Sequence, residues 1–523
     1  MLVRSLIILF ISTVMIGCAN HEERQQKIEA NEANPIAFKN SDSKKVVLIM
    51  MDSLMDTTLK RAIEEEKAPA LEFLMEHGSY SDKLVSSYPT MSVVIDSSII
   101  TGAYPDQHRI PALIWYNEKN KQIVSYGNGL FEILKLGPSN VAVNSLNHFN
   151  NRDLGKEVST IHEDLHKVKK QSASINTFIY RGNQAHTLHV PDAISKMTDL
   201  KEEYQTMGPK YLSIGSLARL DPENKHTIKR LGINDTFATE ELIYLLKENI
   251  LPEFTIVYFS ENDRTAHKKP ASIKGIVKMD RHLQDVLNAF PSWEQALEDI
   301  VWVIISDSNQ SYVKKKKKEA LIDLRKPYSD FNILELGEPV RQKDDLVITA
   351  NERMAYIYKV SDKSNLKKLA QNLEVDPRIA WVAWKDNQMV HVISGYHDGM
   401  LSFDTGGSLV DIYQQKWKVE GNTDILDLKM ENGNIGYGEY PDALARLYGA
   451  MYSQEGEFII ADAKPGYEFI GESSPEHAGG GAHGSMHQID SLSPIIVAGT
   501  DKNIENLRIV DLKKWVLEVL SGK

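Results

Sequence analysis

Six residues of this chain combine oxygen and imidazole chemistry: Asp52, Thr90, Asp263, His267, Asp307 and His483. Thr90 follows Pro89 in Ser86-Ser87-Tyr88-Pro89-Thr90-Met91-Ser92, ahead of an apolar stretch that runs to Ile100. Proline is favoured at the first helical position, so this reading starts a helix at Pro89 and puts Thr90 in its first turn. A hydroxyl there meets free backbone N–H groups and the positive helix end, a natural seat for a phosphate and for an oxygen nucleophile attacking it. By itself, a threonine after proline is equally a simple helix cap. Its company is what points to chemistry. Asp and His together favour a borderline dication such as zinc or manganese. Two such ions about 4 Å apart bind a nucleophile oxygen, polarise a phosphoryl group and stabilise charge on the attacking and leaving oxygens.

These side chains need a scaffold, and three short apolar runs supply one. Val46 to Met51, Phe254 to Phe259 and Ile300 to Ile305 read as buried parallel strands. The first ends at Asp52, the second leads into Ser260-Glu261-Asn262-Asp263, and the third ends Ser306-Asp307. All three deliver carboxylates at their carboxyl ends, the edge at which open α/β sheets hold ligands. Helical patterns at Thr58 to Glu76 and Lys278 to Ala289 alternate with them, which predicts a doubly wound, mainly parallel α/β sheet with helices on both faces.

After Asp307 the pattern changes. Leu346 to Ala350, Met354 to Val360, Ile379 to Trp384 and Gln388 to Ser394 read as strands around a helix at Ser364 to Leu373. This predicts an inserted α+β subdomain over residues 325–425, with the core formed by 44–324 and 426–523. The core is expected to resume with a helix at Tyr440 to Met451 and strands at Glu457 to Ala461 and Pro494 to Ala498. The Lys314 to Lys318 run reads as a solvated face.

Hydrophobic residues at 42% and charged residues at 25% are ordinary for a folded body and exclude a disordered or polytopic membrane chain. The net charge of −12 makes nonspecific nucleic-acid binding unexpected. The single cysteine, Cys18, excludes a disulfide framework, a Cys-ligated zinc site and a cysteine nucleophile in the folded region. Arg4, the apolar run Ser5 to Met15 and the ending Ile16-Gly17-Cys18 resemble a bacterial lipoprotein signal. That resemblance implies a signal peptide over 1–17, a lipid anchor at Cys18, and a location on the extracytoplasmic face of the cell membrane. Residues 18–43 are polar and read as a flexible tether.

The ordered set VVLIMMD ending at Asp52, YPTMS with Thr90, ITGAYPDQH to His108, Asp263-Arg-Thr-Ala-His267, SDS at Asp307 and AHGS at His483 resembles the alkaline phosphatase superfamily, in its nucleotide pyrophosphatase/phosphodiesterase branch. The resemblance spans about Lys44 to Gly499 outside the insertion. It implies one metal on Asp263, His267 and His483, and a second on Asp52, Asp307 and Thr90. Zn2+ is the first choice of ion and Mn2+ also fits. It further implies a phosphate-ester hydrolase with Thr90 as nucleophile and a phosphothreonine intermediate.

Two positions depart from the family pattern. Ser308 stands where an imidazole of the second site is usual, which implies a weaker second metal, and Leu113 stands where nucleotide-cleaving relatives place an asparagine. Asn309, His477 and His487 are candidates to compensate, though each reads more simply as a loop residue. Asp96, counted six residues from Thr90, reads as structural. Trp115 and Tyr116 read as core. Two further readings stay open: a relative that binds metal and a phosphorylated ligand without turnover, and a transferase that passes a phosphoryl or phospho-alcohol group to an acceptor other than water. The sulfatase pattern Cys/Ser-x-Pro-x-Arg is missing from YPTMS.

Overall fold

A computed structural model of the chain describes residues 44–386 and 389–522; the expected signal, Cys18 and tether lie outside the described residues. Among the described residues no helix is long and apolar enough to cross a membrane.

The three apolar runs are adjacent strands. Lys45–Met51 lies between Phe254–Phe259 and Ile300–Ile305, parallel to both, with Met51 opposite Phe259 and Met50 opposite Ile305. Ser172–Ile175 and Tyr211–Ser213 extend the parallel block beyond Phe254–Phe259. On the other side, Leu492–Ala498 joins Ile300–Ile305 antiparallel and Gly78–Val85 completes seven strands. The strands are buried on both faces because their alternate residues serve two cores. Val47, Ile49 and Met51 pack under helices Asp56–Glu64, Pro69–Glu76, Asp235–Lys247 and Lys274–Leu287, while Val46, Leu48 and Met50 pack with Ser92–Thr101 and Leu512–Ser521. That period-two division is what lets an unbroken apolar run hold a doubly wound sheet.

The expected helix over Thr58 to Glu76 is two helices. Pro69 lacks an N–H and disfavours helical geometry in the residue before it, so Ala68 sits at φ −134°, ψ 57° and a new helix begins with Pro69.

A second, largely antiparallel sheet of nine strands spans Leu346 to Ala463. Helix Leu366–Glu374 packs on it through Leu366, Leu369 and Leu373. The strand Glu457–Ala463 corrects the expected layout. It lies within this second sheet, between Met354–Lys359 and Ile379–Asp386, rather than in the parallel core, so the subdomain reaches well past residue 425. A strand buried on both faces carries the same apolar signature in either sheet, and its hydrogen-bonded partners are not written in its own residues. The two sheets also share one apolar core, in which Met50 and Ile95 join Tyr356, Trp381 and Leu444.

Beside this shared core, Glu132 on helix Leu130–Leu136 is 1% exposed and accepts hydrogen bonds from Ser125 Oγ (3.2 Å) and Asn128 Nδ2 (2.9 Å). Burial outweighs both donors and pushes its carboxyl from an ordinary 4.5 up to about 8. The unfolded chain therefore releases this proton well before the folded one, and stability falls as pH rises from about 4.5 to about 8. Glu132→Gln is expected to be close to neutral at pH 4.5 and to stabilise by on the order of 2 kcal/mol at pH 8. Denaturation of both proteins across that range checks this, and a pH-independent difference would sink it.

Candidate active site

The parallel sheet ends in a cavity of about 610 Å3 lined by Asp52, Ser92, Asp96, Asp263, His267, Glu352, His477 and His483, with an apolar wall that includes Leu113, Tyr126, Phe149, Phe178 and Ile233. Asp52 leaves its strand with its N–H on Phe259 O at 2.9 Å and is 6% exposed. Burial, then the negative charges of Asp307 and Asp263, push its carboxyl well above the usual range, although the Tyr258 hydroxyl donates to Asp52 Oδ2 and works the other way. Asp307 is fully buried; its Oδ1 accepts from Ser53 N (3.1 Å) and Ser308 N (2.8 Å). Buried carboxylates that act on one another's charge are costly to ionise together.

Asp263 and His267 lie four residues apart on the short helix Asp263–Lys268, which puts them on one face. His267 Nε2 is 3.1 Å from Asp263 Oδ1, and Asp263 Oδ1 also accepts from Ser53 Oγ (3.0 Å) and Gln310 Nε2 (2.7 Å). Burial disfavours both charged forms, yet the imidazole charges hold Asp263 below the usual carboxylate range, and Asp263 with Glu352 raises His267 to about 10. His483 arrives from the glycine-rich loop, and ligand atoms of Asp263, His267 and His483 all lie within 4.8 Å of one another.

Both imidazoles are oriented by carbonyls. His267 Nδ1 donates to Gly481 O at 2.8 Å and His483 Nδ1 donates to Thr90 O, so each presents Nε2 to the cluster. A carbonyl on one ring nitrogen and an open second nitrogen is the usual arrangement of a metal-binding histidine. This donor set fits a borderline dication.

The helix start differs from the expected one. The Tyr88–Pro89 peptide is cis, Thr90 forms an isolated antiparallel bridge with Gly484, Met91 is extended, and the helix begins at Ser92. Pairing with Gly484 withdraws Thr90 from helical geometry. Thr90 is 0% exposed, and its Oγ1 accepts from Gly484 N (2.7 Å) and donates to Ser485 O (3.2 Å). Gly484 tolerates no side chain here: it sits at φ +107°, and a Cβ would come within 2.6 Å of Asn351 O. Ser92 lines the cavity, and its Oγ donates to Asp307 Oδ2 at 2.8 Å.

Moving the helix start by three residues, from Pro89 to Ser92, changes Asp96 as well. Asp96 stands four residues after Ser92, one turn along the same face. It is 3% exposed, its Oδ1 has no partner, and burial followed by the Asp307 charge pushes its carboxyl far up. Ser308 is buried with an unpartnered Oγ, and its N–H goes to Asp307. Of the three compensating candidates, His477 joins the cluster, stacked 4.5 Å from the His267 ring with Nδ1 on Glu468 Oε2 at 2.9 Å. Asn309 bonds Leu492 O and His487 caps Ile489 N, so neither enters. Tyr116 packs against Tyr358, as a core residue should.

Sequence reasoning missed Glu352, Tyr258 and Asn262. Asn262 Nδ2 donates to Asp52 O (3.0 Å) and Ser53 O (2.8 Å), fixing the strand end. Gly275 makes room for it, since a Cβ there would lie 1.8 Å from Asn262 Oδ1. The one available signal was Asn262 itself, standing just before Asp263 in a strand-end loop.

Residues 46–486 match the model of the family described as type I phosphodiesterase / nucleotide pyrophosphatase. No curated protein sequence matches the chain. Among solved structures, murine ectonucleotide pyrophosphatase/phosphodiesterase 5 superposes with a TM-score of 0.54 at 12% identity, covering 91% of this chain and 95% of that one. Its human counterpart gives 0.54 at 13% identity over the same shares. Phosphonoacetate hydrolase from Sinorhizobium meliloti 1021, in complex with phosphonoformate, gives 0.51 at 12% identity, covering 94% of this chain and 100% of that one. The similarity to these structures shows the fold expected from the sequence, an alkaline phosphatase-like α/β sheet.

Proposed function

Because the chain belongs to the type I phosphodiesterase/nucleotide pyrophosphatase family, we propose that it is a metal-dependent phosphodiesterase whose nucleophile is Ser92 rather than Thr90. The observation that carries this is the Ser92 hydroxyl, 2.8 Å from Asp307 in the cavity that also holds Asp263, His267 and His483. Asp263, His267 and His483 would hold one cation, and Asp52, Asp307 and Ser92 would hold a second. Bound there, the pair supplies Lewis acidity toward the serine hydroxyl and the phosphoryl oxygens.

Ser92 Oγ forms the bond to phosphorus while its proton passes to Asp307 along their hydrogen bond; the bond from phosphorus to the alcohol breaks, the alcohol oxygen leaves with the bonding pair and takes a proton from solvent, and Asp307 returns its proton to Ser92 Oγ on hydrolysis. Water then cleaves the phosphoserine. The first turn of the Ser92–Thr101 helix turns its positive end toward the phosphoryl group. Thr90 is a positioning residue in this reading, its carbonyl aiming His483 and its hydroxyl holding Gly484.

The apolar wall beside the cluster suits an alcohol with a flat or apolar body, a nucleoside among them. A solved complex of AMP with an inactive threonine variant of murine ectonucleotide pyrophosphatase/phosphodiesterase 5 supports that class. Extracytoplasmic placement through a lipid on Cys18 belongs to the same proposal. The second reading, ligand binding without turnover, draws on Ser308, which leaves the second site without an imidazole.

The test strips metal with a chelator, verifies the loss by elemental analysis, and assays aryl phosphodiester and phosphomonoester with Zn2+ or Mn2+ restored. Turnover is expected to fall at least ~100-fold on stripping and return with metal, diester ahead of monoester. Full activity in verified metal-free protein overturns the proposal. A metal-loaded, folded protein without turnover on either ester favours the binding reading.

A further inference from the structure

We propose that Glu352, carried by a hairpin of the second sheet, is a direct ligand of the cation held by Asp263, His267 and His483. This rests on the metal-centre reading above and adds to it a residue from outside the parallel sheet.

Glu352 occupies the turn between Leu346–Asn351 and Met354–Lys359. Its φ of +56° is a conformation that a residue with a side chain seldom adopts. The surroundings hold it there: Phe469 N donates to Glu352 O at 2.7 Å, and the next residue, Arg353, donates its N–H to His483 O at 3.0 Å. The result is a carboxylate only 7% exposed and aimed at the imidazoles. Its Oε2 accepts from His483 N at 2.9 Å, while Oε1 lies 3.8 Å from His267 Nε2 and 3.9 Å from His483 Nε2.

Those separations have the scale of a coordination shell. Four ligands at about 2.0–2.1 Å from a tetrahedral zinc stand roughly 3.3–3.4 Å from one another. Asp263 Oδ1 to His267 Nε2, at 3.1 Å, and the two Glu352 separations lie just below and just above that edge. The histidine nitrogens nearest Glu352 are the same Nε2 atoms that the carbonyls of Gly481 and Thr90 leave open.

Charge gives the same answer. A buried carboxylate needs a cationic partner. Among the described residues no Lys or Arg pairs with Glu352, the neighbouring Arg353 is committed to Asp490, and the groups that face the carboxylate are imidazoles: those of His267 and His483, and that of His477, whose ligand atom lies within 4.8 Å of those of Glu352 and His267. Two carboxylates and two imidazoles would neutralise one dication. The centre is then built across both sheets, so loading it ties the Leu346–Lys359 hairpin to the parallel core.

Glu352→Gln tests this, because the amide keeps an acceptor oxygen for His483 N and removes the charge and most of the ligand strength. The measurements are Zn2+ affinity by competition with a chromogenic chelator, and the visible absorption of the Co2+-loaded protein. Zn2+ affinity is expected to fall at least ~10–100-fold, the range that even an outer partner of a ligand commands. The Co2+ bands are expected to shift, and the metal-free proteins to melt alike. Glu352→Asp keeps the charge on a shorter arm and is expected to fall between the two. Unchanged Zn2+ affinity and an unchanged Co2+ spectrum in both variants overturn this inference alone. A wild-type chain that takes up no cation overturns the metal-centre reading, and this one with it.

Discussion

Ser92→Ala is expected to lower kcat on an aryl phosphodiester by roughly 10^4–10^6-fold, the scale seen when a nucleophile is removed, whereas Thr90→Ser should stay within about tenfold of wild type. The difference follows from where the two hydroxyls lie. Ser92 Oγ lines the cavity on Asp307, and alanine there leaves nothing to attack phosphorus. Thr90 Oγ1 is enclosed between Gly484 N and Ser485 O, and serine preserves both hydrogen bonds at the loss of one buried methyl. Thr90→Ala is the intermediate case. It strands the buried Gly484 N–H, costs about 1–3 kcal/mol, and loosens the loop that presents His483, so melting temperature and rate both fall while turnover persists. Acid quenching during turnover, followed by peptide mass analysis, identifies the phosphorylated residue directly. A phosphopeptide carrying Thr90, or a Ser92→Ala protein with a tenth of wild-type activity, would reverse the assignment.

The proposed change of nucleophile from Thr90 to Ser92 shows what a sequence can and cannot say at such a site. The positions of Asp52, Asp263 and Asp307 were readable because each follows a short unbroken apolar run. Such a run is a buried strand, and the chain must turn where it ends. The helix start was not readable from Pro89. The preference for proline at the first helical turn is a statistical one, and here a bridge between Thr90 and Gly484, 394 residues apart, decides the local geometry. Asp96, read as structural from its spacing to Thr90, stands one turn after Ser92 and lines the cavity, a placement that follows from the same shift of the helix start. The hairpin at Asn351-Glu352-Arg353 was opaque on other grounds. Polar residues between two strands ordinarily face water, and nothing local reveals that this turn is buried against His483. The same limit placed Glu457–Ala463 in the wrong sheet, because its burial was legible and its partners were not.

Arg353 is expected to be the residue whose loss most damages the junction of the two sheets. Its guanidinium and the Asp490 carboxylate are both fully buried and paired through Nη1, which also donates to Ser311 Oγ at 2.6 Å, while Nη2 donates to Ala463 O at 3.0 Å. The partners belong to different parts of the molecule: Ala463 ends a strand of the second sheet, and Asp490 precedes Leu492–Ala498, the strand next to the edge of the first sheet. Arg353→Met fills similar volume but leaves Asp490 charged, buried and without its cation, at a cost of about 3–5 kcal/mol. A second substitution separates the pair's net worth from the damage of breaking it. Removing both charges in Arg353→Met/Asp490→Leu should recover most of the loss, since the expense lies in the uncompensated ion rather than in a missing attraction. Lower pH should also help the single variant, because a protonated Asp490 no longer carries that charge. Chemical denaturation of the metal-free proteins near pH 5 and pH 8 measures all three effects. A single variant within about 1 kcal/mol of wild type, or a double variant no more stable than the single, would mean that this buried pair does not hold the sheets together.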